Sequence, residues 1–210
     1  MFKIFIRIIS VIIITIILFI SYLSTFGIKT DKFNELIKAQ LIKHDNRINI
    51  HLKDVFIKLN IKEKSFSLNT RDVDFFILTE RQKISNVDLL IDLESIIRKD
   101  NKIKKIIINS KENEINNLLK FIRTYKVSIP VLYLENSVKK GNIIYDIIIN
   151  FKNNNLDQIK ISGKIIDTEL NILKKEKIKN INLNFNYKNQ KIEIINLKLK
   201  YKNINFNSQN

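Results

Sequence analysis

His44 and His51 are the only imidazoles in the chain, so they are the first residues to test for chemistry. With Asp45 or Asp54 they could begin a metal site. Such a site needs three or four convergent donors and an ordered outer shell, and nothing in the spacing supplies them. Ser65, His51 and Asp54 can be arranged on paper as nucleophile, base and orienting acid. No serine, however, sits in a strained glycine turn of the nucleophile-elbow kind. The pairs Asp72–Asp74 and Asp88–Asp92 recur at strand period, where solvation on a polar face explains them. Asp72 and Asp74 share one such face and come nearest to a paired acid. Gly141, after Lys139 and Lys140, reads as a turn residue and not as a phosphate cradle. The chain has no cysteine, which removes disulfides, thiolate nucleophiles and thiolate metal sites. The expectation is a non-enzyme with no catalytic residue, no metal and no cofactor.

The element that positions everything else is Ile8 to Phe26, nineteen uncharged residues flanked by Lys3 and Arg7 before and Lys29 after. A run of that length just spans a hydrocarbon core as a helix. Ser10, Thr15, Ser21 and Ser24 are tolerated because a helical hydroxyl returns a bond to the preceding turn. A cleaved signal is the competing reading. Tyr22, Leu23 and Phe26 interrupt the small residues that processing requires, and no Ala-x-Ala pattern exists. The expectation is an uncleaved anchor over residues 1–28. Lys3 and Arg7 hold the N-terminus in the cytoplasm, so the single-pass chain is expected to place its main domain outside it.

The net charge of +16 and pI near 9.8 would ordinarily point to nucleic acid. The basic residues are nearly all Lys, scattered among Ile and Asn, and the aromatics do not interleave with Arg, so no nucleic acid is expected. Contact with anionic head groups is the remaining use for the charge.

Beyond the anchor, Thr30 can cap a helix starting at Asp31. Phe33, Leu36, Ile37 and Leu41 make its apolar stripe, which packs on the first sheet or on the bilayer. From Arg47 the period becomes two. Ile48, Ile50 and Leu52 share a face, then the phase slips at Lys53–Asp54 before Val55, Ile57, Leu59 and Ile61. Phe66 and Leu68 follow a turn at Lys62–Lys64. Val73 to Leu78 reads as a further strand, and Val87, Leu89, Ile91 and Leu93 give the cleanest alternation. Ile103 to Ile108 is the next strand.

Glu112 to Ile122 is helical, capped by Ser110, with Ile115, Leu118, Leu119 and Ile122 on one side. Pro130 makes Tyr125 to Leu134 an edge segment or linker, which sets a boundary between 29–125 and 126–210. The last third alternates again through Ile147 and Ile149, Ile159 to Ile165, Ile181, Leu183 and Phe185, Ile192 and Ile194, with a slip at Ile195. It ends on a strand start at Ile204 and Phe206, whose neighbour would come from another chain or from a continuation of this one.

The fold class expected is mainly β: a transmembrane helix, a short amphipathic helix, and a long antiparallel sheet with one inserted helix. Each strand has one apolar face. In a closed domain that face is core. In a sheet curved into a groove it would line a trough for acyl chains, at roughly 0.8 kcal/mol per buried methylene. The expected lipid-groove residues are Ile48, Ile50, Leu52, Val87, Leu89, Ile91, Leu93, Ile147, Ile149, Ile181, Leu183 and Phe185.

The order of parts also carries a resemblance. The basic-flanked anchor precedes Phe33–Asn34–Glu35–Leu36–Ile37, then Ile48 to Ile57 and Val87 to Ile96. Lys140–Gly141–Asn142–Ile143 and Ile161–Ser162–Gly163–Lys164–Ile165 come later. This resembles the front of the AsmA-like proteins, inner-membrane-anchored periplasmic members of the bridge-like lipid transfer superfamily. The resemblance implies a chorein-like helix and sheet over 29–125 and continuing β-groove strands over 126–210. It also implies phospholipid as cargo, lipid transport or outer-membrane assembly as function, and another envelope protein or a missing C-terminal groove as partner. A membrane-tethered structural or protein-interaction β domain without lipid cargo is the alternative.

Overall fold

The computed structural model describes residues 2–31, 34–35, 38–39, 42, 45–98, 100, 102–152, 155–172 and 176–208. The helical stripe expected at Phe33, Leu36, Ile37 and Leu41 lies outside the described residues, as does His44. Helix α1, Phe2–Thr25, is long and apolar enough to cross a membrane, and none of its apolar span is buried by the rest of the protein. Its 24 residues reach about 36 Å along the axis. Thr15 Oγ1 donates to Val11 O and Thr25 Oγ1 to Ser21 O, so these hydroxyls are satisfied within the helix. The helix ends at Gly27, whose φ of +74° turns the chain into strand β1, Ile28–Thr30. A Cβ there would lie 2.7 Å from the carbonyl oxygen of Ile57, so only glycine lets α1 meet the sheet so closely.

The rest is one antiparallel sheet. Its strands are β2 (Ile48–His51), β3 (Asp54–Asn60), β4 (Ser65–Ile77), β5 (Glu80–Asp92), β6 (Ile103–Ser110), β7 (Asn113–Glu114), β8 (Val138–Lys152), β9 (Asn155–Ile172), β10 (Glu176–Lys188), β11 (Lys191–Tyr201) and β12 (Ile204–Asn207). The pairing order is β1-β3-β4-β5-β6-β8-β9-β10-β11-β12, with β2 on β4 and β7 on β8. The short turns carry the left-handed residues they need, such as Asn189 and Gln190 with φ of 51° and 62° between β10 and β11.

Among the described residues three further short helices have defined bounds: α2 (Leu93–Ile97), α3 (Ile115–Tyr125) and α4 (Ile129–Ser137). Helix α3 lies on the apolar face and buries Ile115 and Leu119 with Val73, Ile84, Val138, Ile143 and Tyr145. Arg47 Nη1 donates to Thr124 O at 3.0 Å, and Arg123 pairs with Glu135 of α4 at 2.8 Å.

One device recurs across the sheet. The apolar phase slips by one residue on successive strands, and the slips fall in one transverse row. It runs from the break between β2 and β3 through Asp72 on β4, the register shift at Ile84/Asn86 on β5, Gly141 on β8, Asp167 on β9, Asn180 on β10 and Asn196 on β11. Asp72, Asp167, Asn180 and Asn196 adopt φ of 45–54°, a conformation that Asp and Asn tolerate better than other side chains. Each extra residue returns the next apolar run to the same face, so Val73, Ile143, Leu170 and Phe185 all reach one core cluster.

Several expectations are corrected. The sheet is open, ending at β1 and β12, and is not strongly curled or closed, so it is no groove. Val73 to Leu78 is not a strand of its own; with Phe66 and Leu68 it forms the single strand β4, bulged at Asp72. Tyr125 to Leu134 is not an edge segment, because Pro130 stands in the first turn of α4, where its missing N–H costs nothing. Ser110 does not cap a helix. It ends β6, and its Oγ accepts from Tyr145 N at 2.7 Å.

Candidate functional site

The polar residues that might do chemistry are held apart or already occupied. His51 pairs with Asp74 at one end of β4 and packs on the Phe76 ring at 5.2 Å. Ser65 is nine residues along the same strand, about 30 Å away, so the paper triad does not assemble. Asp72 is held by Lys111 at 2.5 Å and Lys53 at 3.8 Å, and the Lys111 hydrogen bond lowers its pKa. Asp74 makes a forked pair with Arg81 at 2.7 Å. Asp88 bonds Asn86 and Asn69, and Asp92 caps α2 through Ser95 N while Lys104 sits at 2.6 Å and lowers its pKa. Among the described residues no group of three His, Asp or Glu converges as a metal site would require.

The expected lining residues divide between two regions. Ile50, Leu52, Val87, Leu89 and Ile147 line an apolar cavity of about 420 Å³ that Phe121 of α3 and Phe75 help to wall. Three polar side chains stand in it: Thr70, Gln82, 1% exposed, and Tyr145, whose hydroxyl faces Gln82 Oε1 at 3.4 Å. Burial pushes the Tyr145 pKa up to about 12. Ile48 pairs with Ile77 and Ile91 with Phe66, while Ile149 lies between Ile106 and Ile159. Leu93 has left the sheet and opens α2. Ile181 is buried opposite Thr168, Leu183 faces Ile165, and Phe185 lies over Gly163, where a Cβ would meet its ring at 2.7 Å.

The expected function is corrected with the fold. An acyl-chain conduit needs a continuous trough, whereas the sheet stays open and uncurled and α3 closes its apolar face over the Val73–Tyr145 cluster. Conveyance of phospholipid, and the lipid-transport and envelope-biogenesis roles attached to it, therefore have no structural basis. What the structure supports is a membrane-associated, β-rich domain with, among the described residues, a single candidate transmembrane helix.

The surface left open lies at the far end. Ile192 is 70% exposed, Ile204 59%, and Ile194 and Phe206 about half. On this apolar side Ile172, Ile178, Leu197, Leu199, Tyr201 and Phe206 border a concavity of about 670 Å³. Among the described residues β12 has one strand neighbour only, so its outer backbone groups remain unpaired. Sequence reasoning located Ile204 and Phe206 but missed α4, the Gln82–Tyr145 pair and the row of bulges. Comparison of the chain with protein-family models, with curated proteins and with solved structures finds no match.

Proposed function

We propose that this protein is a membrane-tethered, non-catalytic β-sheet domain whose free end, β10 to β12, receives a protein partner. One observation carries the reading: α3 covers the apolar face of the first half of the sheet, whereas the last strands keep exposed Ile192, Ile194, Ile204 and Phe206 beside an unpaired edge. Soluble domains blunt or cover such edges because they template strand addition, and strand addition is a recurrent mode of polypeptide recognition. The basic flank of Lys3 and Arg7 favours a cytoplasmic N-terminus, which puts the sheet on the far side of the bilayer.

The test is site-specific photo-crosslinking of the full chain in its own membrane, with the probe at Phe206 and a control probe at Lys62 on the β3–β4 turn. A discrete polypeptide adduct at Phe206 and none at Lys62 is the expected result. Lipid adducts alone at Phe206, or equal adducts at both positions, would refute the proposal.

A further inference from the structure

The polar face of the same end carries a second signature. Lys160, Lys188 and Lys191 stand directly opposite one another on β9, β10 and β11, and Lys179 faces Lys200 on the next strand. Like charges in directly opposed positions repel and destabilise a sheet. None of these five lysines forms an ion pair among the described residues. Lys164 and Lys198, also unpaired, flank a concavity of about 420 Å³ on this face, which Asn182, Asn184, Asn196 and Asn207 help to line. Asn182 is occupied by Asp167 and the Asn180 carbonyl, while the side-chain amides of Asn184, Asn196 and Asn207 form no hydrogen bond among the described residues. Asp146, Asp167, Glu169 and Glu193 are acids on this side; Asp146 and Asp167 already accept from Asn109 and Asn182, and Glu169 pairs with Lys140 at 3.1 Å.

We infer that this lysine face is the recognition surface for an acidic polypeptide segment that adds beside β12 and is met from the polar face by Lys198 and Lys200 of β11. The inference rests on the interaction reading above and names the chemistry of the partner. Ammonium groups and free amide N–H groups all donate, so the ligand must bring anionic acceptors. A second copy is disfavoured because each chain carries +16. Single-stranded nucleic acid would need stacking platforms, and Phe185, Tyr187, Tyr201 and Phe206 all lie in register with the opposite, apolar face.

Head groups of the tethering membrane are a poor fit as well. Nine strand spacings separate β1, where α1 ends, from β12, about 43 Å at the spacing of paired strands. An extended polypeptide is the one class of anion that would also satisfy the free edge. Added beside β12, its side chains would neighbour Asn205 and Asn207, which pair with Lys200 and Lys198, about 10 Å from those backbones. A lysine and a glutamate together bridge that gap.

The experiment uses the full chain in phosphatidylcholine nanodiscs and a fluorescein-labelled peptide of five Glu-Val repeats, read by anisotropy, with Gln-Val repeats as control. Binding should weaken at least tenfold in Lys198→Glu/Lys200→Glu. It should change less than twofold in Lys62→Glu/Lys126→Glu, which alters net charge equally at the opposite end. Equal weakening in both pairs would mean total charge alone is sensed and would overturn the inference. So would Lys198- and Lys200-dependent capture of phosphatidylglycerol vesicles without capture of the peptide. Phe206→Ser separates the two readings, with circular dichroism confirming that each variant keeps its sheet. If peptide binding falls with Phe206→Ser but not with the lysine changes, the interaction surface stands and the acidic partner is wrong. If no peptide binds at all, both fall.

Discussion

The two halves of this sheet solve the same problem differently. In β3 to β8 several charges are answered by a neighbour. Lys29 pairs with Asp54 at 2.6 Å, Lys111 with Asp72, Arg81 with Asp74 and Lys104 with Asp92. An Asn–Asp ladder of Asn69, Asn86 and Asp88 joins β4 to β5, while α3 covers the apolar side. In β9 to β12 the lysines face one another and the apolar side has exposed Ile and Phe. The far half is only partly covered: Leu170 and Phe185 pack on the core cluster, while Ile192, Ile194, Ile204 and Phe206 stay exposed. The contrast separates what makes the fold from what is left to bind.

The largest effect should separate the halves outright. Val73→Asp puts an unpaired carboxylate into a site 1% exposed under α3, at a cost of about 4 kcal/mol. Ile194→Asp, half exposed, should cost less than about 1 kcal/mol. Chemical denaturation of the two variants in detergent measures the difference, and equal costs would show that the far half is as closely packed as the near one. A milder version removes the lid. Leu119→Ala should lose about 3 kcal/mol, whereas Ile204→Ala should stay within about 0.5 kcal/mol of the parent.

The pH dependence of stability should also belong to the covered half. Tyr145 has its pKa raised to about 12 by burial, above its value of about 10 in an unfolded chain. Its contribution is complete below pH 10 and is lost as pH rises toward 12, by roughly 2–3 kcal/mol at most. Comparing Tyr145→Phe with the parent across pH 8–12 should show the alkaline fall reduced. Asp72 and Asp92 are shifted the opposite way, held down by hydrogen bonds from Lys111 and Lys104. Their stabilisation is present above the ordinary carboxylate pKa and fades as pH drops through the lowered values. Asp92→Asn should flatten that acid limb in a melt at pH 2–5, and an unchanged limb would assign it to other carboxylates.

How far these halves were legible depends on what the sequence encodes locally. Strand periods at Val87 to Ile91 and Ile143 to Ile149 are local, and both run in strands. So is the helical spacing of Ile115, Leu118 and Leu119, although the helix starts three residues later than its polar lead-in implied. Pro130 misled because its ring suits a strand edge and a helix start equally, and only the packing of Val131 on the core chose. The slips at Lys53–Asp54 and Ile195 were visible one at a time. That they belong to a row crossing the sheet follows from register, which the chain states nowhere locally. Curvature is of the same kind: alternating Ile and Leu look identical in a trough and in an open sheet, so the expected groove could not have been settled from period alone. The facing lysines were hidden for the same reason, since Lys160, Lys188 and Lys191 look like compositional scatter until β9, β10 and β11 are aligned.

Those lysines give the smallest effect. Lys188 faces Lys160 on one side and Lys191 on the other, so removing its charge should stabilise the unbound protein. Lys188→Gln is expected to gain about 0.2–0.5 kcal/mol at low ionic strength, because opposed like charges cost that much and no ion pair is lost. At about 0.15 M salt the Debye length falls to about 8 Å and the gain should shrink. Lys104→Gln reverses the sign, since Lys104 sits 2.6 Å from Asp92 and its removal leaves that carboxylate without its cation. Opposite signs from two surface lysines on one sheet would be the cleanest evidence that one half is finished and the other waits for an anionic partner. Equal, destabilising responses would mean the rows at β9 to β11 are relieved within the protein itself.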